Sequence, residues 1–231
     1  MVYELISKVY LLNDIELNKV RENIIKLIDE TLAKDAFYLS FHRKNTLKNY
    51  SVDGLHKVER DGIYHEGKIY AFRIRTVDIK LSEYLEKSLF IAYTNNMKVI
   101  TVTKRTIVKK HIEKIFSITP IVIKTSEAGY WRPHISIEEY EQKLKSNLIK
   151  NYNTFYNTKI NEDFELFTHF EFNNQKPIAI PFKNNITLLG DKVTFNVSEN
   201  EMAQELTYFS LGVGLGECGA RGMGFVGYKY L

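Results

Sequence analysis

Helix and strand periodicities alternate along this 231-residue chain in one order that occurs twice, and few folds accept that order. Residues Tyr3–Leu12 read as a strand. Asn13 or Asp14 is placed to cap a helix carrying Val20, Ile24, Leu27, Ile28 and Leu32 on one side. A polar stretch, His42–Gly67, holds a weak strand at Tyr50–Leu55. In the strand Lys68–Thr76 that follows, Tyr70, Phe72 and Ile74 share one face and Arg73 and Arg75 the other. Leu81, Leu85 and Leu89 mark a second helix, and Val99–Val108 a β-branched strand. The resulting order, β-α-β-β-α-β, is that of a ferredoxin-like unit, one sheet with two helices on one face.

The second half repeats the order. Ile118–Thr125 is apolar and β-branched, as a first strand would be. Ser136 with Glu139 forms a capping box for a helix bearing Ile137, Tyr140, Leu144, Leu148 and Tyr152. Phe164–Phe172 reads as a strand, and Pro177–Phe182, Ile186–Leu189 and Val193–Val197 as further strands, with Gly190-Asp191 as a turn. A second capping box, Ser198 with Glu201, opens a helix carrying Met202, Leu206 and Phe209, which Gly212 stops. Phe225–Leu231 closes as a strand. The expected fold class is α+β, two tandem ferredoxin-like domains dividing near Ser117 into residues 1–117 and 118–231.

Composition agrees with a packed, soluble chain. Apolar residues make up 44%, and the single cysteine, Cys218, excludes an internal disulfide and fits a reducing, cytoplasmic setting. No run approaches the roughly 20 apolar residues of a membrane span, and the N-terminus lacks a signal-peptide apolar run. The net charge of +4 hides an asymmetry. Residues 1–117 hold 21 Lys/Arg against 15 Asp/Glu, a net +6, whereas the remainder is −2. Basic residues concentrate at His42, Arg43, Lys44 and Lys48, and again from Lys98 to Lys114. Such clusters are either solvated faces or seats for an anion, and their confinement to one half favours an anionic partner.

Seven of the twelve glycines fall between Leu211 and Leu231. Gly214-Leu-Gly-Glu-Cys-Gly219 matches the dinucleotide pattern G-x-G-x-x-G, but it follows a helix instead of opening one inside a βαβ unit, so the Rossmann reading fails. No Walker-type Gly-Lys-Ser/Thr is present. Two readings remain: a loop whose backbone N–H groups approach an extended anion, with Arg221 adding a bidentate phosphate contact, or a tight turn with glycine bulges.

The run Gly212-Val-Gly-Leu-Gly-Glu-Cys-Gly-Ala-Arg-Gly-Met-Gly-Phe-Val226, after an amphipathic helix, resembles the signature of the CRISPR-associated repeat-processing endoribonucleases of the RAMP superfamily, the sixth Cas family. The segment His42-Arg-Lys-Asn-Thr-Leu-Lys48, continuing to Leu55 and the strand Lys68–Thr76, is similar to that family's histidine, then lysine six residues on, then strand. With the tandem RAMP-type order, the resemblance spans essentially the whole chain.

The resemblance implies RNA cleavage without a metal or other cofactor. The ribose 2′-hydroxyl attacks the adjacent phosphate, leaving a 2′,3′-cyclic phosphate and a 5′-hydroxyl. That reaction needs an acceptor for the hydroxyl proton, a cation for the charge on phosphorus, and a donor for the leaving oxygen. His42 is the candidate proton-transfer group, Lys48 the candidate phosphate stabiliser, and Tyr38, four residues before His42, the candidate third member. Arg43, Lys44, Arg73, Arg75, Lys104, Arg105 and Arg221, with Gly214, Gly216, Gly219, Gly222 and Gly224, are the candidate RNA contacts. His56 and His65 lie in the loop before Lys68–Thr76, within reach of RNA; His111, His134 and His169 suit surface or sheet roles. No His/Asp/Glu grouping has metal-ligand spacing. The expected partner is CRISPR repeat RNA; effector-complex proteins and a second copy of the chain are the partners to test, and no membrane is expected. The competing reading is a non-catalytic RNA-binding RAMP subunit of an effector complex.

Overall fold

The structure is a computed structural model that describes residues 1–44, 46–125, 129–182 and 186–231. Its order is β1 (Val2–Leu11), β2 (Ile15–Glu16), α1 (Leu17–Leu32), α2 (Ala36–Arg43), β3 (Tyr50–Val52), β4 (Ile63–Tyr64), β5 (Ile69–Thr76), α3 (Ile79–Leu89) and β6 (Met97–Ile107). There follow β7 (Ile112–Ser117), α4 (Ile137–Tyr156), β8 (Phe167–Phe172), β9 (Ile178–Pro181), β10 (Thr187–Gly190), β11 (Val193–Val197), α5 (Glu201–Val213) and β12 (Val226–Tyr230). The first sheet runs β3-β5-β1-β6 and the second β12-β7-β11-β8. Each is the ferredoxin-like order, with the first and third strands central and all named pairs antiparallel. β9 and β10 form a hairpin inserted between the second and third strands of the second unit.

Four local expectations need correcting. The first strand of the second sheet is Ile112–Ser117, not Ile118–Thr125; the latter is irregular apart from a bridge between Ile121 and Asp191. The first helix starts at Leu17, after β2, with no side-chain cap from Asn13 or Asp14. Asn200, not Ser198, caps α5 by accepting from the Ala203 amide at 2.9 Å. α5 continues through Gly212 to Val213 and ends at Gly214. The Ser136–Glu139 capping box is present, with both reciprocal bonds made.

Helix α5 holds the two units together. Its residues 206–213 are all buried, because it is covered from both sides. Tyr208 donates to the Ile107 carbonyl at 2.7 Å and accepts from the Val2 amide at 3.0 Å, both at the end of the first sheet. A Cβ on Gly212 would lie 2.6 Å from Val77 Cγ1, so the helix crosses the first unit at a point where only glycine fits. Val2, Val77 and Ile107 of the first unit accordingly belong to the core built around Phe195, Leu206 and Phe209 of the second. Leu206, Phe209 and Leu211 are at most 1% exposed, each removing about 1.5–3 kcal/mol of apolar surface energy from water. A second core, around Leu5, Ile24, Ile28, Phe72, Leu81 and Leu85, lies between the first sheet and α1 and α3.

The glycine-rich tail after α5 packs as tightly. Leu215 donates to the Gly224 carbonyl at 2.9 Å, and Gly224 to the Pro120 carbonyl at 2.8 Å. Gly224 has φ +62°, and a Cβ there would lie 1.9 Å from the Leu215 carbonyl oxygen. Gly224→Ala is therefore expected to cost about 2 kcal/mol or more, read as a shift of the urea unfolding midpoint.

Candidate active site

Helix α2 is set by Asp35, whose carboxylate accepts from the Phe37 and Tyr38 amides at 2.9 and 3.1 Å. His42 and Arg43 then occupy its last turn, where cations face the negative end of the helix. Lys48 Nζ turns back onto that end, donating to the carbonyls of Phe41 and Lys44, the second at 2.6 Å. Burial and the neighbouring Arg221 push the Lys48 ammonium below its ordinary pKa, while Asp29 opposes them. The segment between His42 and Lys48 passes through Asn45, which lies outside the described residues.

Helix α1 supplies what the sequence reading missed. Arg21, Ile25 and Asp29 follow one another at four-residue spacing, so Arg21 and Asp29 share a face. Asp29 Oδ2 accepts from Arg221 Nη1 at 2.7 Å, and its Oδ1 lies 3.3 Å from His42 Nδ1. Arg21 Nη1 donates to the Arg221 carbonyl at 3.2 Å. A Cβ on Gly222 would meet Arg21 Cγ at 2.9 Å, so the glycine lets the tail close on α1. His42, Lys48 and Arg221 thus come together around Asp29 at the seam between α1, α2 and the tail. The signal available beforehand was the Arg21/Asp29 spacing, but its meaning depends on a partner 192 residues away. Tyr50 is fully buried at the same place, and burial pushes its phenol far up, so it stays protonated near neutral pH.

Tyr38 stands apart. Its ring stacks on Tyr84 of α3 with centroids 4.1 Å apart and meets Phe37 edge-on at 5.2 Å, and burial raises its phenol pKa. It packs α2 onto α3.

The strand β5 arginines also differ from expectation. They do alternate with the apolar face, but Arg75 is buried and reaches no solvent. It pairs with the buried Glu4 at 2.7 Å, donates to the Val226 carbonyl at 2.6 Å, and lies over the Phe225 ring at 4.4 Å. The face expected to meet phosphate is covered by β12 and α5. Arg73 is half-buried: its Nε donates to Asp53 at 2.9 Å, and the same carboxylate holds His56 Nε2 at 2.6 Å. Arg105 reaches Glu4 at 2.8 Å yet stays largely exposed, and Lys104 pairs with Glu86 at 2.5 Å. Arg43 and Lys44 are exposed.

Gly214, Gly216, Gly219, Gly222 and Gly224 answer to packing. Besides the Leu215 and Gly224 amides, that of Glu217 bonds the Val122 carbonyl at 2.8 Å. A Cβ on Gly219 would sit 2.3 Å from the Val213 carbonyl, and one on Gly216 2.6 Å from that of Val122. Of the two readings of the tail, the tight turn accounts for these contacts, and Arg221 is its projection into the cluster. Elsewhere, Trp131 is buried, donating to Asp191 at 2.7 Å. His65 pairs with Asp61 at 2.9 Å, and His111, His134 and His169 are exposed.

Two adjoining hollows lie along α1. One of about 700 Å3 lies between α1 and the β9–β10 hairpin and includes Asp29 and Arg221. The other, of about 930 Å3, includes His56 and Asp53, and the two share Asn18, Arg21 and Pro181. Among the described residues no group of three His, Cys, Asp or Glu could hold a metal ion, and no helix is long and apolar enough to cross a membrane.

A tandem ferredoxin-like pair closed by a glycine-rich tail, with histidine and cations where the tail meets α1 and α2, defines the class of this α+β protein. Residues 102–228 match the family model described as CRISPR associated protein Cas6, C-terminal. The chain belongs to the Cas6 family of CRISPR repeat-processing proteins. Among solved structures it is similar to a CRISPR associated protein Cas6, at 23% identity with TM-score 0.75 over 99% of this chain and all of that one. It is also similar to a RAMP protein described as binding different RNA substrates, at 17% identity with TM-score 0.78 over 98% and 99%. A Thermus thermophilus Cas6 product complex matches at 17% identity with TM-score 0.68 over 99% and 100%. No curated protein matches the chain.

Proposed function

We propose that this protein is an endoribonuclease that cuts CRISPR precursor transcripts within their repeats, without a metal, by 2′-hydroxyl attack on the adjacent phosphate. The observation that carries this reading is the meeting of His42, Lys48 and Arg221 around Asp29. The O2′–P bond forms as the P–O5′ bond breaks, so one proton leaves O2′ and one arrives at O5′. An imidazole with an ordinary pKa of about 6.5 is suited to move such a proton near neutral pH. Arg221 and Lys48 supply fixed positive charge for the one additional negative charge that gathers on the phosphoryl oxygens as the phosphate becomes pentacoordinate. Lys48 has a second task, since its bonds to the Phe41 and Lys44 carbonyls fix the helix end that carries His42.

The two adjoining hollows give single-stranded RNA a path along α1 and the inserted hairpin, with Arg43, Lys44 and Arg105 as further exposed cations for phosphate. Arg75 is not among them. The division between the two units is best placed in the connection between β6 and β7, residues 108–111. Incubating the protein with end-labelled repeat RNA in EDTA tests the proposal. Cutting at one position, with 2′,3′-cyclic phosphate on the upstream product, is the expected result. Tight binding without cutting would support the non-catalytic RAMP subunit instead.

A further inference from the structure

Asp29 places its two carboxylate oxygens in different company. Oδ2 is held by Arg221 from the tail at 2.7 Å. Oδ1 has no access to solvent and accepts no aligned hydrogen bond, while His42 Nδ1 faces it at 3.3 Å. A desolvated carboxylate oxygen without a donor is costly, and a protonated ring nitrogen is the group within reach that relieves it. Resting on the reading of His42 as the proton-transfer group, we infer that Asp29 is its positioning residue: it holds the Nδ1 proton and the ring orientation, and through Arg221 it couples the histidine to the seating of the second unit's tail.

The coupling has a sign. The charged and titratable groups gathered around His42 and Asp29 include Lys48 from the loop after α2, Arg221 from the tail and the buried Tyr50 of β3, with Arg21 of α1 on the Arg221 carbonyl and Arg43 the next residue of α2. Asp29 favours the charged imidazolium, whereas Arg221 and Lys48 disfavour it, and Arg221 also draws on the carboxylate that His42 shares. Removing the carboxylate and removing the guanidinium must therefore move the histidine in opposite directions. A residue that merely supports the fold would not do this.

The test is an NMR titration of the His42 imidazole in the full chain, assigned with His42→Ala, in wild type, Asp29→Asn and Arg221→Gln. The midpoint is expected to fall by about 0.5–1 pH unit in Asp29→Asn and to rise by a similar amount in Arg221→Gln. Asp29→Glu, which keeps the charge, should stay near wild type and serves if the amide variant fails to fold. The pH limb of repeat-RNA cleavage should move with the titration. An unchanged midpoint in Asp29→Asn, or shifts of the same sign in both variants, would overturn the inference. Because the titration needs no RNA, a wild-type protein that does not cut would refute the proposed function and leave the Asp29 result standing.

Discussion

His42→Ala is expected to slow repeat-RNA cleavage by about 10²–10⁴-fold while repeat affinity changes less than about threefold. The asymmetry follows from what the side chain touches. His42 is half-buried on the last turn of α2, against Asp29. Its removal takes away proton transfer but leaves Lys48, Arg221 and the exposed Arg43, Lys44 and Arg105 to hold phosphate. Affinity for a nucleic-acid backbone is a sum over many cations, whereas moving the proton depends on one positioned group. Single-turnover cleavage with filter binding at one salt concentration separates the two. Near-wild-type cutting would remove His42 from the reaction.

The second large effect is on stability. Glu4→Ala is expected to destabilise the fold by about 3–5 kcal/mol, a fall of roughly 10 °C in melting temperature. Glu4 is inaccessible to solvent and receives Arg75 at 2.7 Å and Arg105 at 2.8 Å. Truncation leaves Arg75 buried with the Val226 carbonyl and the rings of Phe225 and Tyr228 for company. An unpaired buried cation is the costly outcome, so replacing the pair together, Glu4→Leu with Arg75→Met, should recover much of the loss. Burial works against the ionised Glu4, but the two guanidiniums outweigh it and hold the carboxyl below its usual range. Its contribution is therefore complete above an ordinary glutamate pKa of about 4.3 and lost as pH falls through the lower folded value. Acid unfolding of Glu4→Gln should lack that component, which a series of melting curves between pH 5 and 2 would read.

Much of this fold is written in local pattern. The apolar stripes of α1 and α3, the alternation of β5 and the capping box of α4 each follow from short-range rules, and their order gives two ferredoxin-like units. The misreadings share a different origin. β7 carries Glu113-Lys114 between Ile112 and Ile115, because its pairing with β12 shifts register at Tyr230, so clean alternation is absent. Ile118–Thr125 is apolar because Ile121, Val122 and Ile123 are buried, Val122 against Ile180 and Met223, without being part of a ladder beyond one bridge. The face of β5 that holds Arg75 was identified, but what covers it comes from the other end of the chain.

The site divides the same way. His42 and Lys48 are six residues apart and belong to one helix end, so their neighbourhood is legible locally. Asp29 is one acid beside another, Glu30, on an ordinary helix, and nothing nearby distinguishes it. Its meaning comes from Arg221, which the tail brings back through bonds such as Leu215 to Gly224 and Gly224 to Pro120. The glycines signalled close approach, and the approach they make is to the protein's own atoms, the Leu215 carbonyl at Gly224 and the Arg21 side chain at Gly222 among them.

In the proposed reaction the RNA's own 2′-hydroxyl, and not a metal-activated water, is the nucleophile. Repeat RNA bearing a single 2′-deoxy nucleotide immediately upstream of the cut, incubated with the wild-type protein beside the unmodified RNA, tests it most directly. Equal binding of both RNAs and cutting of the unmodified one alone is the expected result. Cutting of the deoxy substrate at the same bond would contradict it.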